Sequence, residues 1–423
     1  PSTKLDVDGD ATINGVTIGK GANSVLNNTV LGRSALDAAV TGNHNTAIGK
    51  TALTTNTSGE NNTAVGANSL VLNTTASNLT GIGFQALQDN STGQANTAVG
   101  ANALSNNTTG NYNTGVGKDV LKANNTGSRN VGIGWDTLDH NTSASDNTGV
   151  GYSALTANTT GTQNVALGAN ALDANTTANN NTAVGKDALG ANQSGVDNTA
   201  VGHSALLSNV SGTANVAVGN NVLRTATGSS NTAVGHGTMY NTSTGFQNVA
   251  MGRSALASNT TASNNTAVGY NALTANTTGS NNTAVGLQSL LSNTTGEKNV
   301  AVGVGALSLN TTANQNTAVG FEALRENTTG TYNAAFGYHT LENNTTGSYN
   351  TGLGRAALFN NTTASDNTSV GYNSLVSNTT GGSLTAVGKN ALGANTSGTH
   401  SVAVGKEALF KNTTGAGNTA VGN

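Results

Sequence analysis

A glycine recurs through this chain every seventeen residues, and that period limits the fold more than any other feature of the sequence. The glycines that close NTAVG-like segments run Gly32, Gly49, Gly66, Gly83, Gly100 and onward to Gly422. Twenty-two of the twenty-three intervals are seventeen residues; only Gly219 to Gly235 is sixteen. A unit this short cannot bury an apolar face by itself, so its copies must stack and share a continuous interior.

The consensus coil reads N-T-A-V-G-x-x-A-L-x-x-N-T-T-G-x-x, and its positions are numbered as columns 1 to 17. Column 4 is always apolar, as at Val65, Val99, Val184, Val268 and Val319. Column 9 is Leu in every complete coil but one (Leu53, Leu104, Leu155, Leu206, Leu273, Leu324 and Leu375), with Met239 as the exception. Column 3 is small, mostly Ala or Gly. The N-T-A-V-G segment reads as a short strand in which columns 2 and 4 share one face and column 3 takes the other. The expected core is therefore Val of column 4 with Leu of column 9. Column 1 is almost always Asn, as at Asn62, Asn96, Asn181, Asn265 and Asn316, with Leu79, Leu384 and Ser401 as exceptions. Stacked asparagines predict an amide ladder that fixes the register. Gly at column 15 (Gly110, Gly161, Gly279) predicts a turn at positive φ. Ala76, Ala144, Ala262 and Ala364 at that column give the turn at least two forms. The segment G-x-x-A-L-x-x-N fits either a second short strand or one helical turn.

These columns predict an all-β chain, a parallel β-solenoid (β-roll or β-helix) of about 24 coils over residues 25–423, after a lead-in segment over 1–24. Stacked at about 4.8 Å per coil, it would form a rod roughly 110 Å long. One Val and one Leu per coil make a thin core against the entropy of ordering seventeen residues. A second buried face is expected, with column 3 letting neighbouring chains approach closely, so the expected assembly is a homo-oligomer, a trimeric rod. The chain stops in mid-coil with no polar cap, which predicts either continuation of the natural chain or stacking of its ends on other subunits.

Composition narrows the function. Only 8% of residues are charged and the formal net charge is -3, so no electrostatic footprint for nucleic acid exists. No run of about 18 apolar residues predicts membrane insertion. There is no Cys to supply disulfides or thiolate metal ligands. The sequence starts at Pro1 with no signal-peptide pattern, as a processed chain or a segment of a longer one would.

Candidate chemistry is sparse. The histidines at 44, 140, 203, 236, 339 and 400 are scattered among columns without metal-ligand spacing. Asp6-Val7-Asp8-Gly9-Asp10 misses the Ca²⁺-loop pattern and reads as a turn entering the first coil. No serine has a nucleophile elbow, so no catalytic residue, cofactor or enzymatic activity is expected. Column 6 is the informative surface. It holds Phe84, Trp135, Tyr152, Tyr270, Phe321, Tyr338 and Tyr372, seven of the chain's fifteen aromatic residues, together with half of its sixteen Lys and Arg. Two readings follow: a groove or subunit seam with cation–π contacts between coils, or an exposed stripe that stacks on host-surface glycan.

The segments Asn96-Thr97-Ala98-Val99-Gly100 and Ser401-Val402-Ala403-Val404-Gly405 resemble the head repeats of YadA-type trimeric autotransporter adhesins, whose period is about fourteen. The opening Lys4-Leu5-Asp6-Val7-Asp8-Gly9-Asp10-Ala11-Thr12-Ile13-Asn14-Gly15 looks like the lead-in of bacteriophage tail-fibre proteins. Both resemblances imply an elongated, surface-displayed, trimeric attachment fibre. The leading expectation is a structural fibre shaft of a phage, on the virion surface or extracellular, contacting other virion or fibre components and taking part in host-surface attachment. The alternatives are a bacterial adhesin head, a self-assembling extracellular filament and, further off, an ice-binding solenoid.

Overall fold

The computed structural model of the chain describes residues 9–422 and is all-β, a parallel β-solenoid with one three-residue strand per seventeen-residue turn. It divides into two compact units, the first ending at Thr213 and the second beginning at Ala214.

In the first unit, strands β1 (Ala11–Ile13) and β2 (Val16–Gly19) form an antiparallel hairpin. Asn14 and Gly15 connect them with φ of 50° and 77°, the left-handed pair that a two-residue hairpin turn requires. β2 pairs antiparallel with β3 (Thr29–Gly32), and from β3 onward every pairing is parallel, through β4 (Thr46–Ile48) to β13 (Thr199–Val201). The Asp10 carboxylate accepts the backbone N–H groups of Lys20 at 2.5 Å and Gly21 at 2.8 Å, tying the hairpin to the chain that leaves it. Asp6 and Asp8 lie outside the described residues. The second unit repeats the parallel pattern from β14 (Val216–Val218) to β26 (Thr419–Val421). Register is column over column: Thr63 pairs with Thr80, Ala64 with Gly81 and Val65 with Ile82.

The strand presents the opposite face from the one its apolar column predicts. Column 3 points inward, and Ala64, Ala98, Ala183, Ala267 and Ala318 are fully buried. Val65, Val99, Val184, Val268 and Val319 of column 4 are only half-buried and face outward with column 2. They are not the core, and column 3 is no interface between chains. The reason is space. Leu53, Leu104, Leu155, Leu206, Leu273, Leu324 and Leu375 of column 9, all fully buried, fill the interior with the small residue of column 8. Little room remains opposite them. Where column 8 is bulkier, the next coil often carries Gly at column 3. A Cβ on Gly132 would sit 2.5 Å from Val120 Cγ1, one on Gly149 2.7 Å from Thr137 Cγ2, and one on Gly352 2.6 Å from Thr340 Cγ2. Val222 and Thr238 are followed by Ala instead.

The segment after the strand is neither strand nor helix. It is a run of turns with non-glycine residues in the left-handed region at columns 7 and 9, such as Asn68 (φ 58°) and Leu70 (φ 54°). Such a conformation costs roughly 1–2 kcal/mol per residue. Hydrogen bonds between coils offset it. Asn68 N–H donates to Lys50 O at 2.9 Å in the coil before, and Leu70 N–H to Ala86 O at 3.0 Å in the coil after. Backbone bonds thus join neighbouring coils in the turns as well as in the strand.

Column 1 asparagines do fix the register, but chiefly through the backbone. The Asn45 Oδ1 accepts the N–H of Asn62 at 3.0 Å, and Asn62 Nδ2 donates to Ala76 O at 3.0 Å within its own coil. Asn96, Asn181, Asn265 and Asn316 are likewise buried and donate to the column 15 carbonyls Gly110, Gly195, Gly279 and Gly330. Several column 1 pairs also bond amide to amide, as Asn130 Nδ2 does to Asn113 Oδ1 at 3.2 Å and Asn248 Nδ2 to Asn231 Oδ1 at 3.1 Å, but the more regular ladder of amides on amides lies at column 12, the second Asn of the consensus. Asn327 Nδ2 donates to Asn310 Oδ1 at 2.9 Å and Asn344 Nδ2 to Asn327 Oδ1 at 2.9 Å. Column 15 also differs from expectation, because Gly110, Gly161 and Gly279 do not have positive φ. Close approach favours glycine in such coils, since a Cβ on Gly110 would lie 2.2 Å from Gly127 O and 2.5 Å from Asn107 Oδ1, while coils such as those of Ala76 and Ala144 accommodate the methyl group. The left-handed residue of that turn is at column 17, as at Tyr112 (φ 59°) and Arg129 (φ 58°).

Candidate binding surface

Column 5 glycine, with φ between 126° and 142° from Gly49 onward, carries the chain out of the strand and into the turns. The next side chain, column 6, lies outside the packed interior. Phe84, Trp135, Tyr152, Tyr270, Phe321, Tyr338 and Tyr372 are all 41–52% exposed, so column 6 is an open surface on each unit.

Stacking brings column 6 residues of adjacent coils into contact. In the first unit Lys118 Nζ lies 5.3 Å from the Trp135 ring centroid, and Trp135 meets Tyr152 edge-on at 5.8 Å. Phe84 has Ala67 and Ala101 as its column neighbours. In the second unit Arg253 lies 6.0 Å from the Tyr270 ring. Further along, Phe321 stacks on Tyr338 at 5.3 Å and 12°. The Arg355 guanidinium sits between Tyr338 (5.7 Å) and Tyr372 (5.5 Å), with Lys389 beyond at 5.8 Å from Tyr372. Each exposed cation–π contact is worth about 0.5–1 kcal/mol.

The carboxylates one column on partly neutralise these cations. Lys118 pairs with Asp119 at 2.6 Å, Lys186 with Asp187 at 3.3 Å and Lys406 with Glu407 at 3.9 Å. Burial works against the charge of Asp119. Hydrogen bonds from Lys118 and Asn102, and the charges of Lys122 and Lys118, nonetheless hold its carboxyl below the usual value. A hydrogen bond from Asn170 lowers Asp187 in the same direction, against burial. Desolvation instead raises Asp139 and Asp173.

Column 17 forms a second outer stripe that the sequence did not lead us to expect. Tyr332 stacks on Tyr349 at 5.0 Å and 4°, and Arg129 makes a two-point contact with Asp146 at 2.6 and 2.8 Å. The signal was present as aromatic and charged residues sharing one column. Of the histidines, His339 alone joins a potential metal-ligand cluster among the described residues, with Glu322 and Glu342. No helix among the described residues is long and apolar enough to cross a membrane. Comparison of the chain with protein-family models and with curated proteins finds no match in either set.

Proposed function

We propose that this chain is the repetitive shaft of a fibre, extracellular or carried on a virion, that assembles from copies of itself as a homotrimer and takes part in attachment to a host surface. The observation that carries the reading is the outward strand face. Column 4 sets an apolar side chain on it in every coil, including Met251 (51% exposed) and Leu353 (49%), while the interior is already filled by Leu, Ala and Asn. On each unit this repeated stripe of half-exposed apolar side chains, beside the threonines that fill most of column 2, is a self-association surface by its chemistry. Columns 2 and 4 therefore replace column 3 as the seam between chains. The phage lead-in resemblance favours a tail or capsid fibre over a bacterial adhesin head, and host-surface glycan is the ligand that suits the exposed column 6 rings.

Electron micrographs of the purified chain test this directly. The expectation is fibres of one uniform length. Compact particles would overturn the shaft reading, and filaments of indefinite length would transfer it to a self-assembling filament. Trp135→Ala with Tyr152→Ala is expected to weaken glycan binding while leaving the particles unchanged.

A further inference from the structure

We propose that Glu322, His339 and Glu342 form a binding site for a first-row divalent transition-metal cation of the Zn²⁺ type, with one coordination position open to an adjoining cavity. Glu322 and His339 occupy column 7 of successive coils, and Glu342 is at column 10 of the His339 coil. Stacking carries one ligand atom of each to within 4.8 Å of the others. His339 Nδ1 is 3.5 Å from the Glu322 carboxylate and in contact with Glu342 Oε2. Tetrahedral zinc, with ligands at about 2.0–2.2 Å, separates neighbouring ligand atoms by roughly 3.3 Å, so small side-chain rotations bring the set into range.

The burial points to a cation independently. Glu342 is 8% exposed, and its Oε2 and the buried Nδ1 of His339 press against each other without making a hydrogen bond, to one another or to any third group. A carboxylate oxygen and a ring nitrogen held together without a shared hydrogen bond are costly to bury, and a cation between them would satisfy both. The imidazole is already oriented. Tyr338, Phe321 and Phe359 pack against it edge-on at centroid distances of 3.8, 5.4 and 6.1 Å. Pre-set orientation of a histidine ligand is what metal sites ordinarily obtain from surrounding groups.

Arg325 is the competing cation. It lies 3.5 Å from Glu342 Oε1 and 3.8 Å from Glu322 Oε2, and 3.4 Å from Glu326. Its side chain is 40% exposed, so it can remain on Glu326 while the metal takes the inner oxygens. A set of one imidazole and two carboxylates suits zinc and its neighbours better than magnesium, which takes oxygen ligands. Beside the cluster is a cavity of about 370 Å³, lined among others by Tyr338, His339, Glu342, Arg355 and Phe359. Ala356, following Glu322 and His339 at column 7, leaves that space open. A fourth ligand, water or a carboxylate or hydroxyl oxygen, would enter from there.

The experiment is calorimetric titration of the full chain with zinc chloride, run against magnesium chloride and paired with cobalt(II) absorption spectra. One zinc per chain is expected, with tetrahedral cobalt bands and no heat with magnesium. His339→Ala and Glu322→Gln should each weaken zinc binding by roughly tenfold or more, since even loss of a group supporting a metal ligand costs that much. His203→Ala should change nothing. Strand content by circular dichroism identifies any variant that fails to fold, and Glu322→Gln, at a more exposed position, then carries the test. The proposal is overturned if folded wild-type chain takes up no zinc, or if His339→Ala and Glu322→Gln bind it as wild type does, leaving His339 and Glu342 as a plain ion pair.

Discussion

Replacing Asn327 by Ala would strip Asn310 Oδ1 of its donor and remove an acceptor from Asn344 Nδ2, both inside the coil. Orphaned buried amides cost about 1–3 kcal/mol each. A loss in that range is expected in denaturant unfolding. A loss of a few tenths would mean that the column 12 ladder is incidental to stability. The chain contains its own precedent for a break in that ladder: Asn90 Nδ2 donates only to Gly93 O, and Asn73 Oδ1 below it has no hydrogen-bond partner. Backbone strain predicts the opposite sign elsewhere. Ala95 at column 17 has φ 54°, and Gly avoids the Cβ penalty there at some entropic cost. Ala95→Gly should stabilise by roughly 0.5–1 kcal/mol, read from the same unfolding curves. Two aspartates should answer pH in opposite directions. Burial raises Asp173 above the ordinary 3.8, so its ionisation weighs on the fold as pH rises through and beyond that value. Asp173→Asn should therefore melt higher than wild type at neutral pH and equally well in acid. Asp187 is lowered, so its contribution is present above 3.8 and lost as pH falls through its folded value. Asp187→Asn should melt lower at neutral pH, with the gap closing on acidification. Parallel behaviour of the two variants would contradict these assignments.

At the scale of the coil, column 5 glycine is the least replaceable position. Gly286 has φ 137°, and a Cβ there would lie 2.4 Å from Gly303 O of the next coil. Gly286→Ala combines backbone strain with a backbone clash, each about 1–3 kcal/mol, and should lower the thermal midpoint of unfolding more than either Asn327→Ala or Asp187→Asn. The period, the Leu column and the column 1 asparagines were legible because each recurs in almost every coil. The inward face was not. Alternation makes columns 2 and 4 opposite to column 3 without saying which side is inside, and bulk favoured Val. The deciding information was in the sequence as a correlation, with Val120, Thr137 and Thr340 at column 8 followed by Gly132, Gly149 and Gly352 at column 3. Residues that trade volume share an interior. The turns after column 5 were illegible for another reason. Left-handed Leu70 and Asn68 run against local preference, and only bonds to neighbouring coils hold them there. The Glu322–His339–Glu342 cluster was hidden because its members are seventeen and three residues apart, a spacing meaningful only once column 7 is known to stack.

At the scale of the whole molecule, the proposed assembly rests on copies of the chain meeting through columns 2 and 4. The interior of each unit is filled by Leu, Ala and Asn, so the half-exposed apolar side chains of the strand face are left free to drive association. Val268→Lys with Val285→Lys places two charges on adjacent strands of that face, where Val268 and Val285 pair directly. Those side chains point away from the interior, so the fold should survive while the assembly does not. The most direct measurement is the sedimentation mass of the wild-type chain and this double variant in non-denaturing buffer. The proposed trimer predicts about three times the 41.7 kDa chain mass for wild type and a single-chain mass, with unchanged circular dichroism, for the variant. A monomeric wild type, or a variant that still assembles as wild type does, would contradict it.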